Sequence, residues 1–113
     1  MALSSGYGFE TISQALLLGT ETTIYTIPAS TQVVNAFILI VNTSALAVAV
    51  TLHNRLLGVA ASVTNRIVPA VSIPANSMQV PPFRISMAAT DILSGFAATA
   101  SVINVQLIGL RRT

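Results

Sequence analysis

The sequence contains no cysteine, no tryptophan and no lysine, and five arginines and three carboxylates are its only charged residues. Without cysteine the chain has neither a disulfide framework nor a thiolate metal site. Charged residues make up 7% of the chain, where a soluble domain has about 25%. Apolar residues make up 53%. Because a small monomer rarely exposes large apolar patches, this composition predicts a surface that is covered by other subunits or by lipid.

Groups that carry out catalysis are also scarce, since the chain has one histidine, one aspartate and two glutamates. No second histidine and no cysteine stands near His53 to share a metal ion. The sequence has no Gly-x-Ser-x-Gly nucleophile motif and no phosphate-binding glycine loop. We therefore expect no enzyme, no catalytic residue, no cofactor and no metal. His53 is expected to end a strand at the surface or in an interface, and Asp91 to accept backbone hydrogen bonds in a turn.

The sequence pI near 10 does not indicate a nucleic-acid-binding protein. The net charge is only +2, and Arg111 and Arg112 are the only adjacent basic residues. A nucleic-acid-binding surface needs a basic stripe that displaces several counterions from the phosphates. We expect no nucleic acid as a partner. The first ten residues, MALSSGYGFE, also lack the basic region followed by an apolar run that is typical of a secretory signal.

Residues 35–54, NAFILIVNTSALAVAVTLHN, are apolar enough to resemble a membrane span. From 45 to 53, however, small or polar residues alternate with large aliphatic ones, which is the period of a strand. The preceding VVNAFILIV is rich in β-branched residues and is apolar on both faces, as expected of a strand between two layers. Asn42-Thr43-Ser44 between them favours a turn. The stretch therefore predicts a hairpin of two strands and no membrane helix.

The rest of the chain alternates short apolar runs with turn residues about every ten residues, the spacing of an all-β sandwich or barrel. Pro69 places its strand at an edge or in a bulge. In the last run, Ile103, Val105 and Leu107 are expected to point inward. Two segments stay open: 54–65 is a long loop or a short helix, and 9–19 is two helical turns or an extended arm. The other predicted strands cover residues 22–27, 66–73, 77–80, 83–88, 91–98 and 101–110.

The composition of the sequence changes at Thr20. The segment before it is rich in small residues, and after it short apolar runs alternate with turn residues. We expect an N-terminal docking arm at 1–20 and a β-sandwich domain at 21–113. Two sets of apolar residues are candidate contact residues. The candidate docking residues are Tyr7, Phe9, Leu16, Leu17 and Leu18, and the candidate oligomer-interface residues are Phe37, Ile38, Leu39 and Ile40.

The order of these segments resembles small β-sandwich virion proteins of tailed bacteriophages, namely capsid decoration or cement proteins and related fibre or spike domains. The resemblance covers about residues 20–110. It lies in TTIYTIPAS, in the long apolar strand that ends in NTS, in SIPANS, in Asp91 before Ile92, and in the closing SVINVQLIGL. It implies a jelly-roll-like antiparallel β-sandwich of about eight short strands, a homotrimer fixed to a capsid or tail, and no catalysis.

The sequence therefore predicts a structural virion protein that associates with itself and docks on the major capsid protein or another virion protein through its N-terminal arm. Two alternatives stay open. One is a non-viral, oligomeric, lectin-like binding module. The other, less favoured, is a membrane protein.

Overall fold

The computed structural model describes residues 9–112, which fold almost entirely into strands. One short 3-10 turn, Val63–Asn65, is the only helical element among these residues. The nine strands are β1 Glu10–Leu16, β2 Thr22–Thr26, β3 Gln32–Asn42, β4 Val48–Arg55, β5 Arg66–Ile73, β6 Ser77–Gln79, β7 Ile85–Met87, β8 Ile92–Ala97 and β9 Ile103–Arg112.

The strands form two antiparallel sheets that pack face to face. Sheet A has the order β1-β9-β3-β6, and β7 also pairs with β3. Sheet B has the order β2-β8-β4-β5. When β6 and β7 are taken as two parts of one strand, this is the strand order of a jelly roll. The predicted all-β jelly-roll-like sandwich is confirmed.

The sixth strand of the jelly roll is divided into β6 and β7 because Pro81 and Pro82 lie between them. A proline has no backbone N–H to donate to a ladder, so two in succession end the pairing with β3. After the two prolines, β7 pairs with β3 in place of β6, with Ile85 opposite Ala36.

The core lies between the sheets and follows the alternation of each strand. In β9 the side chains of Ile103, Val105 and Leu107 are fully buried, as the sequence predicts. Ile38 and Ile40 of the neighbouring strand β3 lie beside them on the inner side of sheet A. Sheet B supplies Val50, Leu52 and Leu93 from the opposite side of the core. Burying an aliphatic side chain of this size contributes roughly 1.5–3 kcal/mol. This layer is therefore the main source of stability.

The hairpin predicted around Asn42-Thr43-Ser44 is wrong. β3 belongs to sheet A and β4 to sheet B, so the turn carries the chain from one sheet to the other. The Asn42 side chain holds this crossing, because its amide nitrogen donates to the carbonyls of Leu46 and Ile73 at 2.8 and 2.9 Å. Its Oδ1 also accepts from the backbone N–H of Ser44 at 2.9 Å. β4 begins only at Val48, and Leu46 is 76% exposed.

The predicted boundary at residue 20 does not separate an arm from the sandwich. Residues 10–16 form β1, an edge strand of sheet A that pairs with β9 from Glu10 opposite Gly109 to Leu16 opposite Asn104. Leu17 follows with its side chain fully buried. The open question of 9–19 is decided in favour of an extended segment that is part of the sheet, since residues 10–16 are a strand. Ile12 and Ala15 both pack against the core although they are three positions apart, because the register shifts between Thr11 and Ser13. Residues 1–8 lie outside the described part of the chain.

The structure also tests the predictions for Pro69, Asp91 and residues 54–65. Pro69 lies in β5, which is the edge of sheet B and has irregular register against β4. Asp91 accepts a hydrogen bond from the backbone N–H of Ala88 at 3.0 Å, as expected for a turn residue. Residues 56–62 form a loop that ends in the 3-10 turn, so 54–65 combines the end of β4, a loop and a short turn.

Candidate interaction surface

A buried polar network lies on the outer side of sheet B around His53. The prediction that His53 lies at the surface or in an interface is wrong, since its residue exposure is 1%. Its Nδ1 lies 3.0 Å from Glu21 Oε2, and the hydroxyl of Ser94 donates to the same carboxylate oxygen. On its other side, Arg66 Nε donates to His53 Nε2 at 3.2 Å. The neighbouring Arg55 Nε donates to Ser94 Oγ at 2.9 Å.

These contacts determine which ring nitrogen of His53 carries the proton. Arg66 Nε–H is only a donor, so His53 Nε2 is the acceptor and the ring proton is on Nδ1, where it is donated to Glu21. A serine nucleophile needs a histidine nitrogen within reach to take its proton. Ser94 instead donates to the glutamate, and the free nitrogen of His53 is occupied by an arginine. The arrangement satisfies buried polar groups on the outside of sheet B.

The network predicts an effect on stability. We expect Glu21→Gln to lower the free energy of unfolding by about 1–3 kcal/mol, because a carboxylate that accepts from both His53 and Ser94 is replaced by a neutral amide. Chemical denaturation monitored by circular dichroism measures this change.

The matched control is Glu10→Gln. Glu10 pairs with Arg111 at 3.2 Å, and both side chains are 39% exposed. The pKa of Arg111 lies above its ordinary value because its side chain hydrogen-bonds Tyr25, and the Glu10 carboxylate adds to this. An exposed pair of this kind contributes about 0.2–1 kcal/mol. Equal losses for the two variants would contradict the structural role of Glu21.

An apolar crevice opens between the sheets at the β5–β6 edge. It has a volume of about 180 Å³, and Gln79 is the only residue around it with a polar side chain. Its other lining residues are Ile40, Ile67, Val68, Pro69, Val71, Ile73, Pro81, Pro82 and Phe83. One amide among aliphatic and aromatic walls does not provide the convergent polar groups that a catalytic site needs.

The outer face of sheet A is a third surface of interest. Residues directly opposite each other in an antiparallel ladder point to the same side of the sheet, so the register defines its rows. The face is formed by Leu16, Asn104, Val41 and Met78 in a first row, Gln14, Gln106 and Leu39 in a second row, and Thr11, Ile108 and Phe37 in a third.

Apolar side chains dominate this face, and none of the residues in its three rows carries a charge. Met78 is 67% exposed, Leu16 is 52% exposed, and Val80 lies beside the face just after β6. The outer face of an antiparallel sheet in contact with water usually carries polar residues. An uncharged face of this composition is typical of a contact surface.

The arginine side chain of Arg84 lies at one end of this outer face of sheet A. The Arg84 guanidinium lies 5.1 Å from the ring centre of Phe37 and 5.7 Å from that of Phe9. Arg84 also donates to the carbonyl of Asn35 at 3.1 Å. Distances below about 6 Å from the ring centroid are those of cation–π contacts. Phe9, half-exposed, is therefore held at the margin of sheet A.

The predicted contact residues are distributed over three environments. Tyr7 lies outside the described residues. Leu17 is in the core, and Ile38 and Ile40 are 1% exposed between the sheets, so these three are not available to a partner. The other predicted residues are at the surface: Phe9, Leu16, Phe37 and Leu39 lie on or beside the outer face of sheet A, and Leu18 lies in the loop after β1.

Sequence reasoning missed Val41, Met78, Val80 and Ile108 as parts of this surface. Alternation predicts that Asn104 and Gln106 of β9 face outward, which is confirmed by their partial exposure and register. The same alternation would have placed Ile108 beside them. Met78 and Val80 needed the pairing of β6 with β3, which joins residues far apart in the sequence.

Within residues 9–112, no group of three or more histidine, cysteine, aspartate or glutamate side chains is close enough to hold a metal ion. Over the same residues, no helix is long and apolar enough to cross a membrane.

Comparison with known proteins gives a likeness of fold. No family model matches the sequence, and no curated protein is significantly similar to it. A solved structure from the Bacillus endospore appendages, described as a novel family of disulfide-linked pili, is similar over 100% of this chain and 96% of its own. The TM-score is 0.54 and the sequence identity is 15%. The two chains therefore share a β-sandwich fold along their whole length.

Proposed function

We propose that this protein is a structural subunit that associates with copies of itself to build a surface or extracellular assembly, without catalytic activity. The observation that carries the proposal is the exposure of large apolar side chains on a folded chain with only five arginines and three carboxylates. Those side chains include Leu16, Leu46, Leu57, Val63 and Met78. Contact with another copy would cover these side chains and lower the free energy of a monomer that exposes them to water.

The likeness to an appendage protein supports an assembly of this type, because that protein is described as forming pili. Those pili are described as disulfide-linked. The present chain contains no cysteine, so disulfides cannot link copies of this chain, and we propose noncovalent contacts between apolar surfaces in their place. Its surface composition fits that requirement.

The finer prediction from the sequence is a virion protein on a phage capsid or tail, docked by its N-terminal leader. Since β1 is part of the sandwich, we propose that docking uses the residues before it, with Tyr7 and Phe9 as the aromatic residues. The predicted homotrimer and the predicted capsid partner stay predictions.

Sedimentation of the purified protein over a range of concentrations tests the proposal. We expect species larger than one chain down to the sub-micromolar range, because an interface of standard size gives affinities from micromolar to picomolar. Electron microscopy of concentrated samples then shows whether the copies form closed particles or fibres. A folded, monodisperse single chain at all concentrations would contradict self-assembly.

A further inference from the structure

The two outer faces of the sandwich differ in where their charges lie. The three rows on the outside of sheet A carry no charged residue, and Arg84 and Arg112 lie at one end of them. The outside of sheet B carries Glu21, Arg55 and Arg66 around the central His53. A protein in water keeps its charged face solvated and gains most by covering its uncharged apolar face. Covering the outer face of sheet A would therefore gain more free energy than covering that of sheet B.

We infer that the outer face of sheet A docks on the same face of a second copy of this chain, an inference that rests on the proposed self-assembly. A contact between identical faces is isologous, so each side has to be complementary to itself. Apolar side chains such as Leu39 and Val41 meet this condition. So do the amides of Gln14 and Gln106 in the middle row, because each carries both donors and acceptors and can pair with its own copy.

The size of the face sets the scale of the interface. Its four strands β1, β9, β3 and β6 lie about 4.8 Å apart, and its three rows run along β9 from Asn104 to Ile108, five residues that rise about 3.4 Å each, which gives a flat area of roughly 19 by 17 Å. This area of about 320 Å² is smaller than the roughly 800 Å² that each partner buries in a standard interface, so the three rows supply the centre of an interface and not all of it.

The position of Arg84 selects one orientation of the pair. Arg84 lies at one end of the face, over Phe37 and Phe9. A two-fold axis running across the strands puts the two Arg84 side chains at opposite ends of the interface and avoids repulsion between like charges. The middle row, with Leu39, then lies near the axis and meets its own copy.

The test uses charge substitutions followed by sedimentation equilibrium. We expect Leu39→Arg to weaken self-association by about 30-fold or more, as for a central contact residue. Met78 lies on the edge strand β6 and is 67% exposed, so Met78→Arg should also weaken association without disturbing the fold. Circular dichroism confirms that both variants are folded. Two controls should associate as the wild type does: Ser72→Arg on the outside of sheet B, and Leu46→Arg at an apolar side chain that is 76% exposed in the segment before β4.

Mixing experiments test the two-fold arrangement. Leu39→Arg and Leu39→Asp should each associate poorly alone and should recover association when mixed in equal amounts, because opposite charges then meet at the axis. If the wild type associates but both face variants associate equally well, or if it forms a closed trimer, the sheet A pairing is overturned while the proposed self-assembly stands. If the wild type is a monomer throughout, the proposed function itself is overturned.

Discussion

Asn42→Asp should unfold the protein or lower its free energy of unfolding by about 3–5 kcal/mol, although the two side chains have the same shape. Asn42 is 1% exposed. Its amide nitrogen donates to the carbonyls of Leu46, Ile73 and Pro74, at 2.8, 2.9 and 3.2 Å. A carboxylate would turn a negative oxygen toward these three acceptors in a buried site, where neither solvent nor a cation compensates it.

The same exchange at an exposed turn provides the control. Asn65 donates to the carbonyl of Ala60 at 2.9 Å and accepts from the backbone N–H of Ser62, both near solvent. Asn65→Asp should cost less than about 1 kcal/mol, the net value of one hydrogen bond. Thermal and denaturant unfolding of both variants measures the difference. A similar small loss at Asn42 would show that its amide does not hold the crossing between the sheets.

Ile40→Asp and Leu39→Asp should have opposite outcomes although the residues are neighbours on β3. Ile40 is 1% exposed between the sheets, and an unpaired buried carboxylate costs several kcal/mol against a total stability of about 5–15 kcal/mol. We expect Ile40→Asp to be unfolded or aggregated. Leu39 points to the outside of sheet A, so Leu39→Asp should fold and should lose self-association.

Circular dichroism and sedimentation separate the two effects, and Ile38→Asp should behave as Ile40→Asp does. A folded Ile40→Asp variant would contradict the burial of this side chain. An unfolded Leu39→Asp variant would show that the second face of β3 is also required for folding of the single chain.

The sequence predicts the strands well because the signal for a strand is local. Alternation along β9 and turn residues around Pro28, Pro74 and Asp91 are contained in a few neighbouring residues, and the strands lie where these signals put them. The pattern of β3 was less informative, because its outer face is apolar as well. Alternation could not show which of its faces, that of Ile38 or that of Leu39, lies in the core.

Pairing between strands was not predictable from the same signals. Asn42-Thr43-Ser44 has the composition of a hairpin turn, yet nothing in these residues specifies whether the next strand joins the same sheet or the opposite one. His53 is a second case. Its burial depends on Glu21, Ser94 and Arg66, which come from three different parts of the chain. Only the assembled topology brings these residues together.

The strand order also sets when the contact surface comes into existence during synthesis. β9 lies inside sheet A, between β1 and β3, and is the last strand of the described residues. β4 and β5 are the only neighbouring strands of the described sandwich that are also consecutive in the sequence. Long-range pairings of this type form slowly, and β1 has no partner in its sheet until residues 103–112 have left the ribosome. A nascent chain therefore has no finished sheet A face, and an incomplete subunit lacks the surface through which a growing assembly would accept it.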